Sequence, residues 1–132
     1  MDFPAPGPDY NVRVAPERPD YKSHPLWEEA IRLVHEAYGL ADALRRHDPE
    51  AALQLRKAAV SVPAHVAGAL CALEAAERDA ETSNARAALS EVAARAERAG
   101  SPGACPELSR RARALERSVA LELDPQNEGW VC

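Results

Sequence analysis

The stretch 54–69 reads QLRKAAVSVPAHVAGA, and it places a proline inside an unbroken apolar periodicity. Apolar residues recur every three or four positions on both sides of Pro63, as on one face of a helix: Ala52, Leu55, Ala59, Val62, Val66 and Leu70. A proline in a helix interior removes a hydrogen bond and costs about 3 kcal/mol. Because the periodicity continues past it, we expect one kinked helix and not two helices.

Sequence signals on both sides of this stretch predict where the helices begin. Asp48-Pro49-Glu50 combines a capping acid, a proline in the first turn and a second acid at the positive end of the helix dipole. An earlier helix is predicted to begin near Pro25 with Ser23 or His24 as its cap. Its predicted buried stripe is Trp27, Ile31, Val34, Tyr38, Ala41 and Leu44.

Two more amphipathic helices follow. The third is predicted over 74–99, with the apolar stripe Thr82, Ala85, Leu89, Val92 and Ala96. The fourth is predicted over 106–123, with the stripe Leu108, Ala112, Leu115 and Val119. Four helices with short connections predict an all-α fold, an antiparallel up-and-down four-helix bundle over 25–123. A Pro-rich extended arm over 1–24 precedes it, and a short C-terminal tail over 124–132 follows it.

Composition and charge narrow the classes of function. The formal net charge of −5 disfavours a general nucleic-acid coat, although a local basic face stays open. The three cysteines, at positions 71, 105 and 132, do not indicate a disulfide framework, which favours a reducing cytoplasm. The sequence has no run of 18 consecutive apolar residues, so we expect no membrane-spanning helix. Its first 30 residues contain no apolar segment of the kind found in signal peptides, so we do not expect secretion.

Two runs carry a resemblance to a known family. The run 54–64 (QLRKAAVSVPA) is similar to a Q-L-R-R-A-A-x-S-I-P-x pattern, and 85–92 (ARAALSEV) is similar to A-x-G-S-L-x-E-L. These patterns belong to bacterial four-helix-bundle proteins encoded within intervening sequences of large-subunit ribosomal RNA genes. The resemblance covers 25–123 and implies a closed ring of bundles, a homopentamer. It extends to the accessory variability determinant proteins of diversity-generating retroelements, which bind a reverse transcriptase and nucleic acid.

The chain departs from the family pattern immediately after the proline. The family continues N-I-A-E-G, whereas residues 65–69 here read HVAGA. His65 therefore stands in place of the asparagine and Gly68 in place of the glutamate. The G-S of the second pattern is Ala87-Ala88 in this chain.

No spacing in the sequence indicates catalysis. Ser61 lacks the G-x-S-x-G context of a nucleophile elbow, and the four histidines form no H-x-x-x-H pair. The sequence contains no Glu-x-x-His and no C-x-x-C, the patterns typical of di-metal bundles and thiol sites. We therefore expect no enzyme activity, no metal and no cofactor.

Three sets of residues are candidates for interaction. A seam of small residues around the proline predicts close helix contact, within one subunit or between subunits: Ala58, Ala59, Ser61, Pro63, Ala64 and Ala67. Arg110, Arg113 and Arg117 share one helix face, which is either a phosphate-binding surface or a solvated face. The aromatic residues Tyr10, Tyr21 and Trp130 could dock on a partner.

Two functions fit these observations. The first is a non-enzymatic, ring-forming scaffold or adaptor that binds a protein partner in the bacterial cytoplasm. The alternative is a nucleic-acid-binding accessory factor, for example for a reverse transcriptase.

Overall fold

The described residues form four helices. The computed structural model describes residues 20–99 and 106–123. The helices are α1 (Pro25–Leu44), α2 (Pro49–Cys71), α3 (Ala75–Arg98) and α4 (Pro106–Glu122), and a 3-10 turn, Tyr21–Ser23, precedes α1. Every regular element in the described ranges is helical, which confirms the predicted all-α class.

Capping residues fix where α1 and α2 begin. His24 caps α1, because its Nδ1 accepts a hydrogen bond from the Leu26 amide at 3.1 Å. Asp48 caps α2, because its Oδ1 accepts from the Ala51 amide at 3.0 Å. A proline follows each cap, as the sequence predicted.

The helices pack in chain order. Each contacts the next, α2 and α3 most extensively, and α4 returns to contact α1 along a shorter line. The turns 45–48 and 72–74 are so short that the helices they join run antiparallel. This is the predicted up-and-down bundle. The beginning of α1 and the end of α4 therefore lie at the same end of the molecule.

The core is unusually rich in alanine. Thirteen of the 26 buried apolar residues in the described ranges are alanines, and the largest fully buried side chains are leucines and valines. Buried alanines allow neighbouring helices to approach closely, so large side chains are needed at few positions. The predicted core stripes of α2, α3 and α4 are all buried.

The predicted core stripe of α1 was wrong in register. The buried residues of α1 are Leu26, Ala30, Leu33, Ala37, Leu40 and Ala41. Trp27, Ile31 and Val34 are only half-buried, and Tyr38 is exposed. Two parallel apolar lines run along α1, and the prediction chose the one with the larger side chains. The bundle buries the neighbouring line because its alanines permit close packing.

Helix α2 continues through its proline. Pro63 is buried, and the helix is unbroken from Pro49 to Cys71, as the periodicity predicted. Proline has no amide hydrogen, so the Ala59 carbonyl loses its usual intrahelical donor. The Ser61 hydroxyl donates to the Ala58 carbonyl at 2.8 Å, which satisfies the neighbouring acceptor on the same turn.

The predicted arm and tail fall largely outside the described residues, as do Tyr10 and Trp130. Cys71, the last residue of α2, is disulfide-bonded, a cross-link that the number and spacing of the cysteines had not indicated. In the parts of the chain that the structure describes, none of the helices is both long and apolar enough to cross a membrane.

Candidate functional site

The small-residue seam of α2 divides between the core and the surface. Ala58, Ala59 and Pro63 are buried, so this part of the seam packs within the subunit. Ser61 and Ala67 are half-buried, and Ala64 is exposed. The structure therefore shows the contact within one subunit and leaves the outward part of the seam without a neighbour in the described chain.

The outward side of α2 carries a row of exposed residues, apolar except for Lys57, which we call the outer α2 stripe: Leu53, Lys57, Val60 and Ala64. These positions share one face because they are spaced by four, three and four residues. Leu53 and Val60 are each 43% exposed. Exposed aliphatic side chains on one face of a helix are a candidate interaction surface.

Tyr38 on α1 borders the outer α2 stripe and is 41% exposed. The Arg56 guanidinium lies over its ring, 5.6 Å from the centroid, and donates to the Asp42 carboxylate at 3.2 Å. These contacts join α1 to α2 and hold the tyrosine ring in place. The aromatic ring thus enlarges the apolar surface beside α2.

A histidine–glutamate pair lies where the chain departs from the family pattern. His65 Nδ1 on α2 lies 2.7 Å from Glu81 Oε1 on α3. The Glu81 side chain also lies against Gly68, where an added Cβ would be only 2.7 Å from Glu81 Cδ. The pattern has a glutamate at position 68. In this chain a carboxylate reaches the same place from α3, and glycine leaves the room for it.

The predicted arginine face of α4 is partly neutralised. Arg113 donates from Nη2 to both carboxylate oxygens of Glu97 on α3, at 3.1 Å each, and Arg110 pairs with Glu107 at 3.2 Å. Arg117 makes no ion pair with the described residues. Among the described residues, Arg117 is therefore the one arginine of this face without an ion pair.

Glu97 is the centre of a small polar network between α3 and α4. The Ser109 hydroxyl donates to Glu97 Oε2 at 2.6 Å, beside the Arg113 contacts. The hydrogen bond from Ser109 and then those from Arg113 lower the pKa of the Glu97 carboxyl, because they stabilise its ionised form. No sequence pattern indicates this network, because Glu97 and Ser109 lie on different helices.

His24 is the one buried histidine in the described ranges, at 7% exposed. Burial lowers its pKa, because the charged ring would lose hydration, while the nearby Glu122 carboxylate acts in the opposite direction. The predicted docking residue Tyr21 lies close by and is half-buried. Its ring packs edge-on against Trp27, with 5.7 Å between the ring centroids.

The described residues contain no group of three or more His, Cys, Asp or Glu side chains placed to hold a metal ion. One open cleft of about 360 Å³ lies between α1 and α4, lined by Glu29, Arg111 and Leu115 among others. Another of about 410 Å³ lies at the other end of the bundle, beside His47, Leu55 and Arg98.

No protein-family model, no curated protein and no solved structure matches this chain. The family resemblance carried by the two runs on α2 and α3 therefore stays a prediction.

Proposed function

We propose that this chain is a non-enzymatic scaffold that assembles with copies of itself into a closed ring and binds a protein partner. The observation that carries the proposal is the outer α2 stripe with Tyr38 beside it. Five copies is the ring size that the resemblance implies. The proposal does not extend to a reaction or a cofactor.

The outer α2 stripe has the chemistry of an interface. Leu53 and Val60 supply aliphatic surface, Ala64 permits close approach, and Tyr38 supplies an aromatic ring of the kind enriched at interfaces. Lys57 lies between Leu53 and Val60 and can cover them with its methylene groups while its ammonium stays in water. In a cyclic ring, this surface contacts a different surface of the neighbouring copy.

The experiment is light scattering on the purified full-length chain, compared with its subunit mass of 14.3 kDa. We expect a mass of about five subunits. The double variant Leu53→Glu/Val60→Glu should be monomeric at the same concentration, because it places two carboxylates in the proposed contact. Leu121→Glu is the matched control, since Leu121 is 74% exposed but lies on α4.

Two results would overturn this assignment. One is a wild-type chain that stays monomeric over the accessible concentration range. The other is loss of assembly in the Leu121 variant together with retained assembly in the α2 variant. Circular dichroism of each variant verifies that the helices are intact, so that loss of assembly is not mistaken for unfolding.

We propose that the protein resides in the cytoplasm, and the disulfide bond at Cys71 provides the test. Structural disulfides are rare in that compartment. Rapid alkylation of thiols in intact cells, followed by mass measurement, should label all three cysteines if the location is cytoplasmic. A chain that takes up only one label has kept its disulfide and resides in an oxidising compartment.

A second candidate function is a nucleic-acid-binding accessory factor. It is favoured by the arginines that make no ion pair with the described residues: Arg45, Arg46, Arg78, Arg98 and Arg117. Fluorescence anisotropy with a single-stranded RNA oligonucleotide should then show affinity that falls steeply as salt rises. Binding that is absent at low salt would exclude this function.

A further inference from the structure

His24 joins the 3-10 turn to α1. Its backbone amide donates to the Tyr21 carbonyl at 3.0 Å, and its own carbonyl accepts from the amides of Trp27 and Glu28 at 3.1 Å each. Its Nδ1 accepts from the Leu26 amide at 3.1 Å. The side chain of His24 thus caps the first residues of α1, while the backbone of the same residue joins them to the turn.

This arrangement requires a neutral imidazole. Nδ1 can accept a hydrogen bond only while it carries no proton, so protonation would turn the acceptor into a donor that faces the Leu26 amide. The new positive charge would also lie at the N-terminus of α1, which is already the positive end of the helix dipole. Burial adds to the cost, because the charged ring would be removed from water.

The charged groups around His24 come from the elements packed against it. Asp20 and Lys22 lie in the turn, where Asp20 Oδ1 accepts from the Lys22 amide at 3.0 Å. Glu28 lies in the first turn of α1, and Glu122 of α4 attracts the protonated ring. The end of α2, residues 58–71, contains no Asp, Glu, Lys or Arg. Burial outweighs the attraction by Glu122.

We propose that His24 is a pH-sensitive clasp, whose protonation breaks the cap of α1, loosens the first turn of that helix and exposes the Trp27 ring. The Tyr21–Ser23 turn packs on α1 and α2, and its contacts to α1 include the edge-on pair of Tyr21 and Trp27. Loss of the cap leaves the Leu26 amide without its acceptor in the first turn of α1, where Trp27 also lies. The clasp is independent of the proposed scaffold function.

The direction of the pH dependence follows from linkage. Because the folded chain lowers the pKa of His24 below its ordinary value of 6.5, the unfolded or released chain binds the proton more readily. The stability that neutral His24 provides is complete above pH 6.5. It is lost as the pH falls through the lowered pKa of the closed form.

The test is Trp27 fluorescence in the full chain carrying Trp130→Phe, which leaves Trp27 as its single tryptophan. Between pH 8 and pH 5 we expect a red shift and greater quenching by acrylamide, with a midpoint below pH 6.5. His24→Asn keeps a capping side chain that does not titrate, so it should abolish the transition. His35→Asn is the matched control and should retain it, because His35 is exposed.

A flat signal in the parent chain, or a transition that persists in His24→Asn, would overturn the clasp. The ring nitrogens of His24 provide a second measurement that needs no variant at this position. Nitrogen chemical shifts at pH 7.5 should show a proton on Nε2 and none on Nδ1. A proton on Nδ1 would contradict the capping bond on which the proposal depends.

Discussion

At the scale of single residues, Gly68 and Glu81 depend on each other across the interface of α2 and α3. The Glu81 carboxylate occupies the space that a side chain at position 68 would need, and it pairs there with His65. A glycine within a helix is otherwise unfavourable by about 1 kcal/mol relative to alanine. The contact thus offsets part of the cost of the glycine.

We therefore predict that the effect of Gly68→Ala depends on residue 81. In a Glu81→Ala background the substitution should raise the free energy of unfolding by about 1 kcal/mol, since only helix propensity changes. In the wild-type chain the gain should be no more than about half as large, because the displaced carboxylate loses a half-exposed partner. Urea denaturation of the four chains measures the difference. Equal gains in both backgrounds would rule out the dependence.

The contacts of Glu97 should make the packing of α3 against α4 less stable at low pH. Hydrogen bonds from Ser109 and Arg113 lower its pKa in the folded chain, so its contribution to stability is present above its ordinary pKa of 4.5. That contribution is lost as the pH falls through the lowered value. Glu97→Gln should therefore be less stable than the wild type at pH 7, and the difference should shrink below pH 4.5.

Denaturation midpoints at several pH values check this expectation. Glu91→Gln is the control, because it makes the same chemical change on α3 but removes a contact to Arg95 within that helix. A pH dependence that is equal in the two variants would show that the network with α4 is not its source.

At the scale of the element, the buried face of α1 can be tested by comparing two substitutions on that helix. Leu33 is 2% exposed, whereas Ile31 is only half-buried although it is as large. Leu33→Ala should lower the free energy of unfolding by about 3 kcal/mol, because it leaves a cavity in the core. Ile31→Ala should lower it by no more than about 1 kcal/mol. If Ile31→Ala lowered the free energy of unfolding more than Leu33→Ala, the buried face of α1 would be the one predicted from the sequence.

The buried faces of the other three helices could be predicted from the sequence. In α2, α3 and α4 the spacing of the apolar residues identified the buried face. In α1 the spacing allowed two lines, and only the close approach of the neighbouring helices selects the alanine line. Helix starts were predictable because a cap and a proline act locally.

The candidate sites could be predicted less well than the helices. The pair of His65 and Glu81 spans 16 residues, and Ser109 and Glu97 are 12 residues apart. Such pairs depend on how two helices are rotated against each other, which periodicity does not determine. The arginine face of α4 shows the same limit, because the glutamate of α3 that pairs with Arg113 is not evident from α4.

At the scale of the whole molecule, the turns decide the architecture. Each predicted connection is too short to let the next helix run in the same direction, so the antiparallel order follows from the sequence. How copies of the bundle meet does not follow from any one helix, because it depends on surfaces that several helices share. The outer α2 stripe and Tyr38 become neighbours only once α1 and α2 are packed.

The shared end of α1 and α4 means that the bundle has no structural need for its present order of helices. A circular permutant can join Cys132 to Met1, so that residues 124–132 and 1–19 become the link, and open between Arg46 and His47. The helical contacts and the Asp48 cap are kept, so we expect the permuted chain to fold with its α-helical circular dichroism intact. The same bundle would then form from more than one order of the helices along the chain.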